Sequence, residues 1–103
     1  MLTVDLSKAA IDDLDDIHRQ LFGFSEIFAN RCLVELDVAI RQLSDPFPVW
    51  SYFHITGAPY RAKLFSIGRR TAFWIVFRIH DEEDRVKIHR IWSTLRNPKS
   101  FAP

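Results

Sequence analysis

From Trp74 to His80 apolar and polar positions alternate with a period of two. Ile75, Phe77 and Ile79 fall on one side; Trp74, Val76, Arg78 and His80 fall on the other. That pattern marks a strand with one face turned to a core. Residues 81–84 are all acidic and supply a turn, and residues 85–92 resume an amphipathic strand pattern. Residues 71–93 therefore predict an antiparallel hairpin with a four-residue turn that sets His80 opposite Arg85 and His89 opposite Val76. A lone hairpin is marginal in water, so it needs a third strand and an apolar cover for Ile75, Phe77 and Ile79.

Both are present upstream. Residues 2–6 alternate as a short strand suited to a sheet edge. Ser7 stands where a helix N-cap belongs. Beyond it Ala10, Ile11, Leu14, Ile17, Leu21 and Phe22 recur at three- and four-residue steps, leaving Asp12, Asp13, Asp15, Asp16 and Arg19 for solvent. Gly23 is placed to end this helix in the left-handed conformation, and Ser25 to cap a second one. The second helix carries Phe28, Ala29, Cys32, Leu33, Leu36, Ala39, Ile40 and Leu43 on one stripe and stops at Ser44-Asp45-Pro46. A loop follows whose aromatics, Phe47, Trp50, Tyr52 and Phe53, are expected to close one end of the core. Residues 60–67 read as a strand with Tyr60, Ala62 and Leu64 toward the helices and Arg61, Lys63 and Phe65 away; Gly68 and Arg69 turn the chain into the hairpin. The order strand, helix, helix, strand, strand, strand predicts an α+β fold: an antiparallel sheet with an N-terminal edge strand and a two-helix hairpin packed on one face.

Composition narrows the function. At 103 residues and 48% hydrophobic content, residues 1–103 suit one domain. A net charge of +1 argues against binding nucleic acid by overall charge. The charge is nevertheless segregated, with five Asp between residues 5 and 16 and an acid-free basic stretch, Arg61, Lys63, Arg69 and Arg70, between residues 60 and 70. The single cysteine, Cys32, sits in an apolar helical stripe, excludes an intrachain disulfide and fits the cytoplasm. No apolar run reaches membrane-spanning length and no signal-peptide layout opens the chain.

On this reading the sheet face away from the helices carries Arg61, Lys63, Trp74 and Arg78, a mixture of cations and aromatics that suits a nucleic-acid backbone or an acidic, amphipathic peptide. These four are the candidate partner-binding residues. Four histidines lack metal-ligand spacing, no second cysteine is present, and no glycine-rich phosphate loop or serine nucleophile elbow occurs, so neither a metal nor a cofactor is expected.

Over nearly its whole length the chain resembles the RelE/ParE superfamily of toxins from type II toxin–antitoxin modules. The likeness lies in Ala10-Ile11-Asp12-Asp13-Leu14 and Ile17, in residues 29–43, in Tyr60-Arg61-Ala62-Lys63-Leu64, in residues 74–79, and in residues 86–91 followed by Arg96-Asn97-Pro98. The resemblance implies a toxin neutralised by a cognate antitoxin in a hetero-oligomer. ParE-like members act on DNA gyrase and are not nucleases. RelE-like members cleave messenger RNA on the ribosome, and under that alternative Arg61, Lys63 and Arg96 would be the catalytic groups. Trp74 stands where a RelE-like central strand carries arginine, and Phe101 where such a tail carries tyrosine or histidine; a phenyl ring shuttles no proton. Ser93 in turn replaces the histidine of many ParE-like chains. The resemblance thus favours a ParE-like, non-enzymatic toxin, with an inactive scaffold of the same fold as a third reading.

Overall fold

The computed structural model describes residues 2–45, 52–55, 59–67 and 71–93. Phe47, Trp50, Arg96, Phe101 and the turn at Gly68 and Arg69 lie outside the described residues. The elements run β1 (Thr3–Leu6), α1 (Lys8–Phe22), α2 (Glu26–Arg41), β2 (Phe53–His54), β3 (Arg61–Ile67), β4 (Thr71–His80) and β5 (Arg85–Ser93). The five strands form one sheet in the order β1-β5-β4-β3-β2.

Both helices begin as the sequence dictates. Ser7 Oγ accepts from the Ala10 N–H at 3.1 Å and Ser25 Oγ from the Phe28 N–H at 3.2 Å, each satisfying an orphan donor of the first turn. Gly23 differs from expectation: it is right-handed, with φ −62°. The Phe24 and Ser25 amides both return to the Leu21 carbonyl and close the helix without a left-handed residue. A 3-10 turn, Gln42–Ser44, extends α2 to bury Leu43.

Antiparallel pairing joins β2 to β3, β3 to β4 and β4 to β5. The edge strand β1, in contrast, pairs parallel to β5, with Val4 beside Val86 and Leu6 beside Ile88. Alternation specifies which face a residue takes but not the direction of its neighbour, so this one parallel pair was not legible in β1 itself. The hairpin turn sets His80 opposite Arg85 as expected, with Asp84 left-handed at φ 50°, a conformation that aspartate tolerates. Further along, a bulge between Val76 and Phe77 pairs Val76 with Arg90 and Phe77 with Ile88, so His89 is the extra residue of β5 and does not face Val76.

Ile75, Phe77, Val86, Ile88, Cys32, Leu36 and Leu43 form the fully buried heart of the main core between sheet and helices. On β3 the predicted faces are reversed. Phe65 and Ile67 enter this core, whereas Leu64 is exposed and Tyr60 belongs to a second, smaller cluster on the opposite side of the sheet with Ile55, Val76 and Trp92. Both faces of residues 60–67 carry apolar side chains, and the larger volume of Phe65 with Ile67 decides the register against Ala62 with Leu64.

Candidate partner-binding face

The face of the sheet away from the helices is built by the even-numbered residues of β3 and β4. Leu64 pairs with Trp74 and Ala62 with Val76, and Phe53 on β2 lies next to Ala62. Cross-strand partners share a face, so Phe53, Leu64 and Trp74 form an apolar patch beside the small cluster. Phe53 and Trp74 approach to 6.4 Å between ring centroids, and Leu64 is 54% exposed. Next to this patch the β4–β5 ladder sets two cations opposite one another, Arg78 beside Lys87, and then His80 beside Arg85. Like charges directly opposite one another destabilise a sheet. Arg85 is answered at its end by Asp5 at 3.0 Å and Glu83 at 3.8 Å. Arg78 is exposed on this cationic stripe.

The His89 ring lies in the same field. It meets the Tyr60 ring edge-on at 4.9 Å. Burial, and then the charges of Lys87, His80 and Arg78, push its pKa below that of an ordinary histidine.

The four residues singled out from the sequence do not share this face. Trp74 and Arg78 do; Arg61 and Lys63, on the odd positions of β3, lie on the helix side. Arg61 Nη1 donates to the Tyr52 carbonyl at 3.0 Å. Lys63 Nζ donates to the Ala39 carbonyl at 3.2 Å and to Gln42 Oε1 at 2.9 Å, and sits 5.3 Å from the Tyr52 ring centroid. Lys63 therefore neutralises the carbonyl end of α2. The register reversal of β3 moved both cations, and Lys87 replaces them on the outer face. Its place opposite Arg78 was readable from a four-residue hairpin turn.

One polar contact crosses from helix to sheet where solvent exposure was expected. Asp13 accepts from Arg90 Nε at 2.8 Å, from Arg90 Nη2 at 3.0 Å and from the Ile91 N–H at 2.9 Å. The hydrogen bond to Asp13, more than its charge, raises the Arg90 pKa above the ordinary arginine value.

Cys32 is wholly buried, and burial followed by the Glu35 charge raises its thiol pKa, which makes it packing and not a nucleophile. Among the described residues no three of His, Cys, Asp and Glu are grouped to hold a metal, and no helix is long and apolar enough to cross a membrane.

A helical hairpin on one face of a mostly antiparallel sheet, with a cationic and aromatic surface on the other, defines a small α+β protein. The family model described as the ParE toxin of the type II toxin–antitoxin system parDE matches residues 4–98, and the chain belongs to that family. It is a type II toxin, and membership implies an antitoxin partner. A solved structure described as the chromosomal ParDE toxin–antitoxin system from P. aeruginosa has the same fold, with a TM-score of 0.68 at 17% identity over 90% of this chain and 96% of that one. A metal-bound toxin from Helicobacter pylori aligns with a TM-score of 0.41 at 17% identity over 92% and 97% of the two chains. No curated protein gives a significant match.

Proposed function

We propose that this ParE-family toxin acts in the cytoplasm as one domain over residues 1–103, that its target is DNA gyrase, and that its antitoxin silences it by docking on the outer sheet face. The observation that carries the choice of gyrase over messenger RNA is the separation of the basic side chains. A ribosome-dependent nuclease needs several cations converging on one scissile phosphate. Here Arg61 and Lys63 bind the Tyr52 carbonyl and the end of α2 on the helix side, while Arg78 projects from the opposite face, where Trp74 stands beside Leu64. Family membership supports the same choice.

The antitoxin site is argued from the outer face itself. Phe53, Leu64 and Trp74 supply apolar contact, and Arg78 beside Lys87 supplies positive charge, with Asp5 the β1 neighbour of Lys87. An acidic segment with apolar anchors that orders on binding would relieve the cationic repulsion and cover the rings. The test of the target is induction in cells with DNA damage response and transcript integrity followed in parallel. The expected result is damage signalling with transcripts intact. Cleavage of ribosome-bound transcripts before any DNA damage would overturn the gyrase reading and return Arg61, Lys63 and Arg96 to consideration as catalytic groups.

A further inference from the structure

We infer that two copies of this toxin associate by antiparallel pairing of their α2 helices along a seam of Phe24, Ile27, Arg31, Val34 and Val38. One side of α2 is spent on the core through Ala29, Cys32, Leu36, Ala39 and Ile40. On the other side, Phe24 is 89% exposed, Ile27 83%, Val34 65% and Val38 52%. At the helical repeat, residues 27, 31, 34 and 38 lie within an arc of about 60° directly opposite the buried stripe. Including Phe24, just before the Ser25 cap, their spacing runs three, four, three, four, which is the spacing of a helix–helix seam. Single exposed apolar side chains are ordinary, but a row of four at this spacing, interrupted only by Arg31, is not. Val and Ile are also poorer helix formers than the polar residues a solvated ridge would use.

Charge selects the occupant. Within the seam Arg31 pairs with Glu35 at 3.6 Å, at its edge Arg41 pairs with Asp37 at 2.9 Å, and Glu26 adds a further acid, so α2 carries no surplus of cations. An acidic segment finds no excess positive charge to answer here, unlike on the outer sheet face. A second α2 laid antiparallel does find complements. It sets Ile27 against Val38 of the other copy, Val34 against Arg31, and Phe24 against Arg41, a ring beneath a guanidinium. The same register brings Glu35 of each chain beside Arg31 of the other, twice by symmetry. One polar residue within such a seam fixes register and favours pairs over higher assemblies. The helix is only about 24 Å long, so the interface is small and the pairing weakens on dilution.

Sedimentation equilibrium of the toxin alone, from about 1 μM to about 1 mM, tests this, with circular dichroism confirming the fold of each variant. A monomer–dimer equilibrium is expected, and Val34→Arg should weaken it at least about tenfold. Arg31→Glu and Glu35→Arg should each weaken it, and the double exchange should restore it. Antitoxin affinity should be unchanged by Val34→Arg. A toxin that stays monomeric throughout, a folded Val34→Arg that dimerises like the parent, or single and double charge variants that behave alike would overturn the proposal. Loss of antitoxin binding in Val34→Arg would overturn it too, by giving the ridge to the antitoxin.

Discussion

Asp13 of α1 grips Arg90 of β5 with both carboxylate oxygens and also takes the Ile91 N–H, three hydrogen bonds from one side chain that is only 15% exposed. The contact falls at the β5 bulge, where the extra residue, His89, disturbs the ladder. Asp13 thus fixes the first helix to the irregular part of the sheet. Asp13→Ala strands a guanidinium and a main-chain donor together, and we expect it to lower stability by about 1–3 kcal/mol. Asp12→Ala, one position along on the exposed face, should change it by less than about 0.5 kcal/mol. Urea denaturation of both variants checks this, and equal losses would show that the cross-element contact contributes nothing.

Phe77 sits at the centre of the main core with no solvent exposure and meets the Tyr52 ring edge-on at 6.1 Å. Truncation to alanine removes a ring that neither the sheet nor α2 can easily collapse to replace. Phe77→Ala should cost about 3–5 kcal/mol. A measured loss below about 1 kcal/mol would place Phe77 outside the core.

The contrast between Phe77 and Asp13 shows what the chain declares in one dimension. Ser7 and Ser25 each announce a helix start, and Ile75 and Phe77 announce a buried face, because the governing interactions are local or strictly periodic. The acidic turn likewise sets His80 opposite Arg85. Three features depended on distant partners. β1 reads as a strand but does not reveal that it runs parallel to β5. Residues 60–67 offer apolar side chains to either face, so only the space available beneath the helices settles that Phe65 and Ile67 go inward. Asp13 looks like four other aspartates near the N-terminus until a bulge in β5, 77 residues away, presents Arg90. The second of these determines the site: the β3 register removes Arg61 and Lys63 from the outer face and leaves Trp74 and Arg78 with Lys87.

Antitoxin affinity should follow that redistribution. Trp74→Ala removes the largest ring of the apolar patch and should weaken binding by at least about 2 kcal/mol. Replacing both Arg78 and Lys87 with glutamine should weaken it further and flatten its salt dependence. Lys63→Met, on the helix side, should leave affinity nearly unchanged. Calorimetric titration against the antitoxin at two salt concentrations measures all three. If Trp74→Ala binds like the parent, the outer face is not the antitoxin site.

The last prediction concerns pH, and it follows from where β5 places His89. Burial and the neighbouring Lys87, His80 and Arg78 all disfavour the imidazolium, so the folded pKa lies below the unfolded value of about 6.5. In the interval between the two values the unfolded chain binds more protons than the folded one, and stability must rise with pH. The contribution of the neutral ring is therefore complete above about pH 6.5 and is lost as pH falls toward and through the lowered folded value. Denaturation midpoints measured from pH 7.5 down to pH 5 should decline. His89→Phe keeps the ring packing against Tyr60 without a titrating group, and should make that decline shallower. A bound acidic antitoxin should also make it shallower, because carboxylates beside Arg78 and Lys87 offset the field that opposes protonation. A parent protein and a His89→Phe variant with superimposable pH profiles would show that the decline arises elsewhere than at His89.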